Sequence, residues 1–214
     1  MGLFIFRGVI IIQLERYFND YLRSVPIYKG VISERLLLWL FRDDWGRLSH
    51  ILGVVEEAQK LSRHFPELGG NFLVQAAYLH DVGYAEKLAV TGFHSVDSGL
   101  FAAKNGFPSE VVKAVFLHMD SLTNAKLTMP NSRIECFLNS IYSNLTSKEK
   151  LLMELLTYCD LHRSSIGDRV SIEERISEIG SKYGSGSVVY KSVLQDLGEF
   201  ERIRDRINNV LFPV

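Results

Sequence analysis

Three things are scarce in this 214-residue sequence: cysteine, net charge and long apolar runs. The two cysteines, Cys136 and Cys159, form neither a C-x-x-C pair nor a secreted disulfide framework, so we expect a reducing, cytoplasmic location. The 24 lysines and arginines face 25 aspartates and glutamates, and the formal net charge of −1 argues against general nucleic-acid binding. Because 47% of the residues are hydrophobic, the chain can bury a full-sized core and disorder is excluded as its main state.

The N-terminal apolar segment, MGLFIFRGVIII, is too short to cross a membrane. It is interrupted by Arg7 and ends at Ile12, whereas a spanning helix needs about 20 apolar residues. It also lacks the basic start and the small-residue cleavage site of a signal peptide. We therefore expect no membrane association through a span, and we expect a buried first helix or strand, or an interfacial segment. Together with the C-terminal helix, this segment could support a homodimer.

Apolar residues recur at helical spacing through most of the chain, and no segment alternates as a half-buried strand would. The pattern therefore predicts an all-α fold. Helices are predicted over residues 48–61, 71–82, 95–105, 109–119, 147–162, 171–180 and 188–211. Ser95 is the expected N-cap of the third helix, and Thr146 or Ser147 that of the fifth. The stripe of the last helix that is predicted to face the core consists of Val193, Leu197, Phe200, Ile203, Ile207 and Val210.

Polar residues interrupt the most apolar of these helices. His80 and Asp81 are adjacent at the end of one, and Asp160 lies at the end of another. His50 and His118 lie on or beside the apolar stripes of their own helices. A carboxylate in an apolar setting is unfavourable unless it is paired or binds a cation. Taken together, these imidazoles and carboxylates favour a transition-metal site.

Each of these residues also has a structural interpretation when it is considered alone. A single histidine on an apolar stripe is more often a hydrogen-bonded core residue than a ligand. Asp160 could pair with Arg163, three residues further along the chain. His64 and His162 lie near predicted helix C-termini, where an imidazole complements the helix dipole.

The order of these residues resembles the HD superfamily of metal-dependent phosphohydrolases. RLSHILGVVEEAQKL resembles the first helix of that family, and AAYLHDVGYAEKL resembles its defining helix. TGFHSVDSGLFAAKNGFPSEVVKAVFLH resembles the segment with two further histidines, and LLTYCDLH the final aspartate helix. The resemblance covers about residues 45–180, and it implies an HD-like helical bundle around a buried metal site. Residues 1–44 would be an extension packed on that core, and residues 181–214 a helix that completes the same domain.

The resemblance also implies a ligand set and a cofactor. The implied metal ligands are His50, His80, Asp81 and Asp160, with His94 and His118 for a second metal or for the substrate phosphate. In family members with two metals, the residue at the position of Asp81 bridges them. The mixed imidazole and carboxylate set suits one or two divalent ions of Mn, Fe, Co, Ni or Zn.

The implied activity is metal-dependent hydrolysis of a small phosphorylated substrate, a nucleotide or a phosphomonoester or diester, by metal-activated water. Two alternatives stay open: a di-iron oxygenase of the same architecture, and a non-catalytic sensor that binds metal and nucleotide. Cyclic-dinucleotide phosphodiesterase activity is not expected, because Met119 follows His118 and no Gly-Tyr-Pro motif occurs. Alarmone hydrolysis is not expected either, because the Glu-Asp pair after the HD motif is missing.

The candidate catalytic residues are Asp81, Arg47, Glu86 and Lys87. Arg47 shares a helix face with His50 and could hold a phosphate, or it could be a solvated surface residue. Lys87 and Glu86 follow the HD motif and could supply a phosphate contact and a proton donor. Asp97 could orient His94 or support the start of the helix.

Overall fold

The computed structural model describes residues 34–69 and 71–212, together with Tyr17, Phe18, Tyr21, Pro26 and Ile32. Across these residues the chain is helical, and the one pairing of extended backbone is an isolated bridge between Arg163 and Arg169. The predicted all-α class is therefore confirmed. The apolar segment 1–12 lies outside the described residues.

The helices divide the described chain into short segments joined by tight turns. In order they are α1 (Glu34–Leu40), α2 (Trp45–Leu61), α3 (Phe72–Leu79), α4 (His94–Lys104), α5 (Ser109–Leu117), α6 (Ser121–Thr128), α7 (Arg133–Tyr142), α8 (Ser147–Leu161), α9 (Ile172–Tyr183) and α10 (Val188–Leu211). Short 3₁₀ turns occupy Ser62–His64, Pro66–Leu68 and Val82–Tyr84. None of the helices in the described part is long and apolar enough to cross a membrane.

The core forms around α3, α5 and α8, which pack on one another. Helix α3 also packs against α2, and α5 against α4, so each central helix is covered on several sides. This explains why α3 is apolar around most of its circumference: Leu73, Ala76, Ala77 and Leu79 are all buried. A second, smaller apolar cluster lies between α9 and α10, around Phe200.

Side-chain hydrogen bonds to the backbone fix where α8 begins and hold the loop before α4. At α8 the side chain of Thr146 accepts from the backbone N–H of Glu149, and the Glu149 carboxylate accepts from that of Thr146. This capping box makes Thr146 the cap. The predicted Ser95 cap is wrong, because α4 begins one residue earlier and the buried Ser95 hydroxyl has no hydrogen-bond partner. The loop before α4 is held instead by Asp97, whose carboxylate accepts from backbone N–H groups of that loop.

Two helices, α6 and α7, lie in a stretch for which no helix was predicted. Helix α6 has almost no amphipathic pattern, since Ser121 and Ala125 are its buried residues, so the periodicity offered little signal. In α10 the predicted core stripe is correct at Val193, Phe200, Ile203 and Ile207, which are all buried. It is wrong at Val210, which is 46% exposed, whereas the neighbouring Leu211 packs against the core.

Part of the N-terminal region contacts the core. The Phe18 ring is fully buried and meets the Phe137 ring of α7 edge-on, with 4.8 Å between centroids. Tyr17 contacts the same ring at 5.4 Å. The division into residues 1–44, 45–180 and 181–214 stays a prediction, as does the homodimer.

Candidate metal centre

The side chains of the six predicted ligand residues lie together in the fold. Some of these residues belong to helices and others to the turns that follow helices. His50 and Asp160 lie within α2 and in the last turn of α8. Helix α3 ends at Leu79, shorter than predicted, so His80 and Asp81 occupy the tight turn that follows. Because this turn begins at the centre of the core, both side chains are buried although they follow the helix.

His118 and His94 are carried by the turn after α5 and by the first turn of α4. The predicted helix over 109–119 ends at Leu117, and His118 adopts extended backbone, which turns its ring into the core. Met119 follows in the left-handed region with φ of 54°, and this reverses the chain before α6. His94 is the first residue of α4 and keeps 30% of its side chain exposed.

His50, His80 and Asp160 form a first ligand group. The Nε2 atom of His50 lies 3.1 Å from Oδ1 of Asp160 and 3.4 Å from Nε2 of His80. All three side chains are buried, and one nitrogen or oxygen atom from each lies within 4.8 Å of the others. Ligands of one transition metal, each about 2.1 Å from the ion, are separated by at most about 4.2 Å, so the spacing is close to what a shared ion requires.

Asp81, His94 and His118 form a second ligand group with the same compactness. Oδ1 of Asp81 lies 3.6 Å from Nε2 of His94 and 3.8 Å from Nε2 of His118. The other oxygen, Oδ2, faces the first group, at 3.5 Å from His80 and 3.7 Å from His50. The two carboxylate oxygens of Asp81 therefore face the two groups separately.

Backbone carbonyls orient three of the imidazoles. The Nδ1 atoms of His50, His80 and His118 lie 2.9, 2.8 and 2.7 Å from the carbonyl oxygens of Ser164, Ala77 and Val115. A carbonyl can only accept, so these Nδ1 atoms carry the proton and each neutral ring presents the lone pair of Nε2 to the centre. This is the arrangement by which proteins prepare histidine for a metal.

The donor set fits a divalent cation. In the first group, lone pairs of two imidazoles and a carboxylate face one another, and Oδ1 of Asp160 is buried without a hydrogen-bond donor. Such a cluster of acceptors is unfavourable without positive charge between them. The mixed imidazole and carboxylate chemistry suits divalent ions such as Mn, Fe, Co, Ni or Zn.

The protonation states also match metal ligation. Burial raises the pKa of Asp81, but the charge of Arg47 and the neighbouring imidazoles together outweigh it and hold that pKa well below its usual range. Burial lowers the pKa of His80 to about 4. At neutral pH the carboxylate is therefore ionised and this imidazole neutral, so neither must lose a proton before it binds a metal.

The pKa of His118 is shifted in the opposite direction from that of His80. Burial alone would lower the pKa of His118, but the nearby carboxylates of Asp81 and Asp160 raise it above 6.5. Because its folded-state pKa is elevated, the ring takes up a proton at a higher pH than an ordinary histidine does. Protons therefore compete with metal in the second group at a higher pH than at His80.

We expect acid to release metal from the second ligand group before the first. The pKa of His118 is raised and that of His80 is lowered to about 4, so His118 takes up a proton at a higher pH than His80 does, and a protonated imidazole cannot ligate. Metal analysis after dialysis at a series of pH values checks this. His118→Ala should remove the step at higher pH, and simultaneous loss of all metal at one pH would contradict the expectation.

Arg47 and Tyr84 line the approach to the centre. The Arg47 guanidinium donates to Oδ2 of Asp81 and lies 3.9 Å from the centroid of the Tyr84 ring. The Tyr84 ring stacks on His94 with 4.2 Å between centroids. The side chain of Arg47 is only 13% exposed, which excludes the solvated alternative. Tyr84 is a site residue that the sequence did not suggest, since a tyrosine in a turn carries no distinctive signal.

Two predicted catalytic residues are not brought to the centre. Lys87 is exposed and its Nζ atom lies 3.7 Å from the centroid of the Trp39 ring. Glu86 is also exposed, and neither residue lines the cavity beside the ligand groups. Both follow the 3₁₀ turn Val82–Tyr84, which carries the chain away from the centre. The roles proposed for them as phosphate contact and proton donor have no geometric support.

The fold decides two of the structural interpretations, those of Arg163 and Asp97. Arg163 does not pair with Asp160; its guanidinium donates to Glu57, at 2.8 Å, and to Glu56. Asp97 accepts from Thr91 and Gly92, so it supports the loop before α4. These partners belong to other helices or loops, which explains why spacing along the chain did not identify them.

The histidines outside the ligand groups differ from each other. His162 follows the end of α8, where its Nδ1 atom bonds the Tyr158 carbonyl at 2.8 Å. Burial lowers the pKa of His162, so this ring is neutral and does not complement the helix dipole as a cation, contrary to the prediction. His64 lies exposed in a 3₁₀ turn.

The loop after α8 holds the carbonyl that orients His50. Arg163 and Glu57 form a buried ion pair that ties this loop to α2. Gly53 and Gly167 allow the two backbones to touch, because a Cβ on Gly53 would lie 2.6 Å from the Gly167 oxygen. The contact places the Ser164 carbonyl against the His50 ring.

A cavity of about 400 Å³ opens beside the ligand groups. Its lining includes Arg47, Asp81, His94, His118 and Asp160, so the centre forms one end of it. The volume lies within the range of pockets that bind small molecules. Residues of α9 and α10 also line the cavity. Among them is Arg175, which lies beside Asp160 and which no sequence pattern indicated.

Comparison with known families agrees with this geometry. The family model described as HD domain matches residues 47–159, which is more than half of the chain. The match contains five of the six ligand residues and ends just before Asp160. No curated protein and no solved structure matches the chain significantly. The family match and the all-helical structure confirm the predicted HD-domain fold around a buried cluster of histidines and aspartates.

Proposed function

Because the chain belongs to the HD domain family of metal-dependent phosphohydrolases, we propose that it hydrolyses a phosphate ester or anhydride bond in a small phosphorylated substrate. The observation that carries the proposal is the position of Asp81, whose two oxygens face two compact ligand groups at the end of a small-molecule cavity. We propose one or two divalent ions as cofactor. Nucleotides, phosphomonoesters and phosphodiesters are the substrate classes we propose to test.

The residues around the centre would have different roles in such a reaction. A divalent cation held by these ligands supplies Lewis acidity, which offsets charge on phosphoryl oxygens and acidifies water. Arg47 is fixed between Asp81 and the Tyr84 ring, and its remaining N–H groups can donate to phosphoryl oxygens. The buried walls of the turn at His80 and Asp81 exclude bulk water from that side, which strengthens these interactions.

Metal analysis followed by a phosphate-release screen tests the proposal. The purified protein would be stripped, reloaded separately with Mn²⁺, Co²⁺, Ni²⁺, Zn²⁺ or, without oxygen, Fe²⁺, and assayed on nucleotides, phosphomonoesters and phosphodiesters. We expect metal-dependent phosphate release that chelation abolishes and metal restores. Tight nucleotide binding without turnover would favour a sensor, and oxygen-dependent turnover of the iron form would favour an oxygenase.

Arg47→Met is expected to lower kcat/KM for phosphate release by about a hundredfold, because a charge-assisted contact to the reacting phosphoryl group is lost. The metal affinity should be unchanged or higher, because the arginine no longer competes for the Asp81 carboxylate. Steady-state kinetics and metal titration on the same samples measure both quantities. Arg47→Lys should recover part of the activity, since it restores the charge but not the planar donor.

Arg42→Met is the matched control for Arg47→Met. Arg42 lies five residues earlier, its side chain is 68% exposed, and it pairs with Asp43, which is more exposed still. Its replacement should leave kcat/KM within about a factor of two, as expected for a surface position. If Arg47→Met lowered metal binding and turnover together, Arg47 would serve the metal centre rather than the phosphate.

A further inference from the structure

The end of the cavity that lies away from the metal centre is built by α9 and α10. These helices fall outside residues 47–159, the part of the chain that matches the family. They contribute Ile179, Val189 and Val193 to the lining, and Met119 faces the same space from the turn after α5. Ile179 and Val193 are also members of the small apolar cluster between α9 and α10. The apolar residues of this half therefore continue a hydrophobic core, and Lys182 and Tyr183 of α9 complete the lining.

Most polar groups along this half are already paired with the protein. The Ser192 hydroxyl donates to the Asp120 carboxylate and accepts from the Asn124 amide at 3.2 Å. The Glu178 carboxylate accepts from Ser165 and from Arg175, the latter at 2.7 Å. A ligand group that needs new charged partners would have to break these contacts, which disfavours a strongly polar occupant.

Arg175 lies where the apolar half meets the metal centre. One terminal nitrogen lies 3.6 Å from Oδ1 of Asp160, and the other donates to Glu178. The residue is only 8% exposed, and its Nε atom has no hydrogen-bond partner. A buried arginine with an unused donor, beside Asp160 while Arg47 lies beside Asp81, suits an anionic group at the metal that continues into the apolar half.

We propose that α9 and α10 form an apolar subsite that selects phosphate monoesters with an uncharged, apolar organic group. The inference rests on the proposed function, because it takes the phosphate to lie at the metal centre. The phosphate lies between Arg47 and Arg175, and the organic group lies against Ile179, Val189 and Val193. Substrate selection thus belongs to the part of the chain outside the family match.

Two aryl phosphates that differ by one ring test the subsite. With the metal-loaded protein, kcat/KM for 1-naphthyl phosphate should exceed that for phenyl phosphate by about tenfold, the gain expected from burying one further ring. Val189→Asp should abolish this preference, because it places a carboxylate against the apolar group. An acidic residue in the first turn of α10 is compatible with the helix, so the variant should fold.

Val188→Asp is the matched control, because it puts the same residue one position earlier in the same turn. Val188 is 36% exposed and does not line the cavity. This variant should keep the tenfold preference. If it lost the preference as Val189→Asp does, a general charge effect would explain both variants and the subsite would be overturned.

Calorimetric binding of the two esters separates failure of the subsite from failure of the proposed function. Phosphate release with no preference for the larger ester would overturn the subsite and leave the phosphohydrolase proposal intact. If neither ester were hydrolysed with any metal, binding to the metal-loaded protein would decide the subsite. A tenfold tighter binding of 1-naphthyl phosphate that Val189→Asp removes would support it, and equal binding of both esters would overturn it.

Discussion

Replacing Asp81 with asparagine is expected to lower phosphate release by at least about a thousandfold and to weaken metal binding by more than about a hundredfold. Asp81 is the residue whose two oxygens face the two ligand groups, so its loss affects both. Asparagine keeps the shape but offers one neutral oxygen, which is a weaker ligand for a divalent ion. Circular dichroism should show unchanged helix content, while metal analysis and phosphate release both fall.

Asp97→Asn is the control for the Asp81 variant. Asp97 is an equally buried carboxylate in the same cavity, but it accepts from Thr91 and Gly92 and belongs to neither ligand group. Its replacement should leave the metal content near that of the unmodified protein. Full metal content and turnover in Asp81→Asn would show that the centre lies elsewhere.

Gly53→Ala is expected to lower the free energy of unfolding by about 1–3 kcal/mol, as overpacking does, although alanine is the better helix former. The added Cβ would lie 2.6 Å from the Gly167 oxygen and 2.9 Å from its Cα, and both are backbone atoms that cannot move alone. The loop after α8 must therefore shift. That shift would withdraw the Ser164 carbonyl from His50, so metal affinity should fall by about tenfold.

Gly198→Ala provides the comparison, because Gly198 also lies inside a helix but a Cβ there would meet nothing within 4 Å. This variant should stabilise the protein by up to about 1 kcal/mol through helix propensity alone. Urea unfolding of the metal-free proteins measures both changes, and a competition assay with a chelator measures metal affinity. If Gly53→Ala were as stable as Gly198→Ala, the close backbone contact would not limit this position.

The candidate ligand residues were proposed from the sequence because some of them interrupt an apolar pattern and because their order resembles the HD superfamily. His80 and Asp81 end an apolar helix, and Asp160 lies in the last turn of another, where a lone carboxylate is unfavourable. The periodicity also predicted most helices. It failed for α6, whose residues carry no amphipathic pattern, and at the start of α4, where Ser95 seemed a better cap than Phe93.

The residues that support the centre could not be predicted in the same way. Ser164 orients His50 across 114 positions of sequence, and Arg163 reaches Glu57 rather than the nearby Asp160. Arg175 meets Asp160 only because α9 folds back over the centre. Glu86 and Lys87 seemed plausible from their distance along the chain, but the direction of one 3₁₀ turn carries them outward.

The sequence by itself determined an all-α chain, because helical periodicity is a local property that neighbouring positions reveal. It also suggested a candidate ligand set, through polar residues on apolar helices and through the resemblance of their order to the HD superfamily. The tertiary structure decided which of Asp81's oxygens faces which ligand group, which carbonyls orient the histidines, and where the cavity is apolar. Those features depend on contacts between segments far apart in the chain. Packing of whole helices sets these contacts, and no local pattern encodes them.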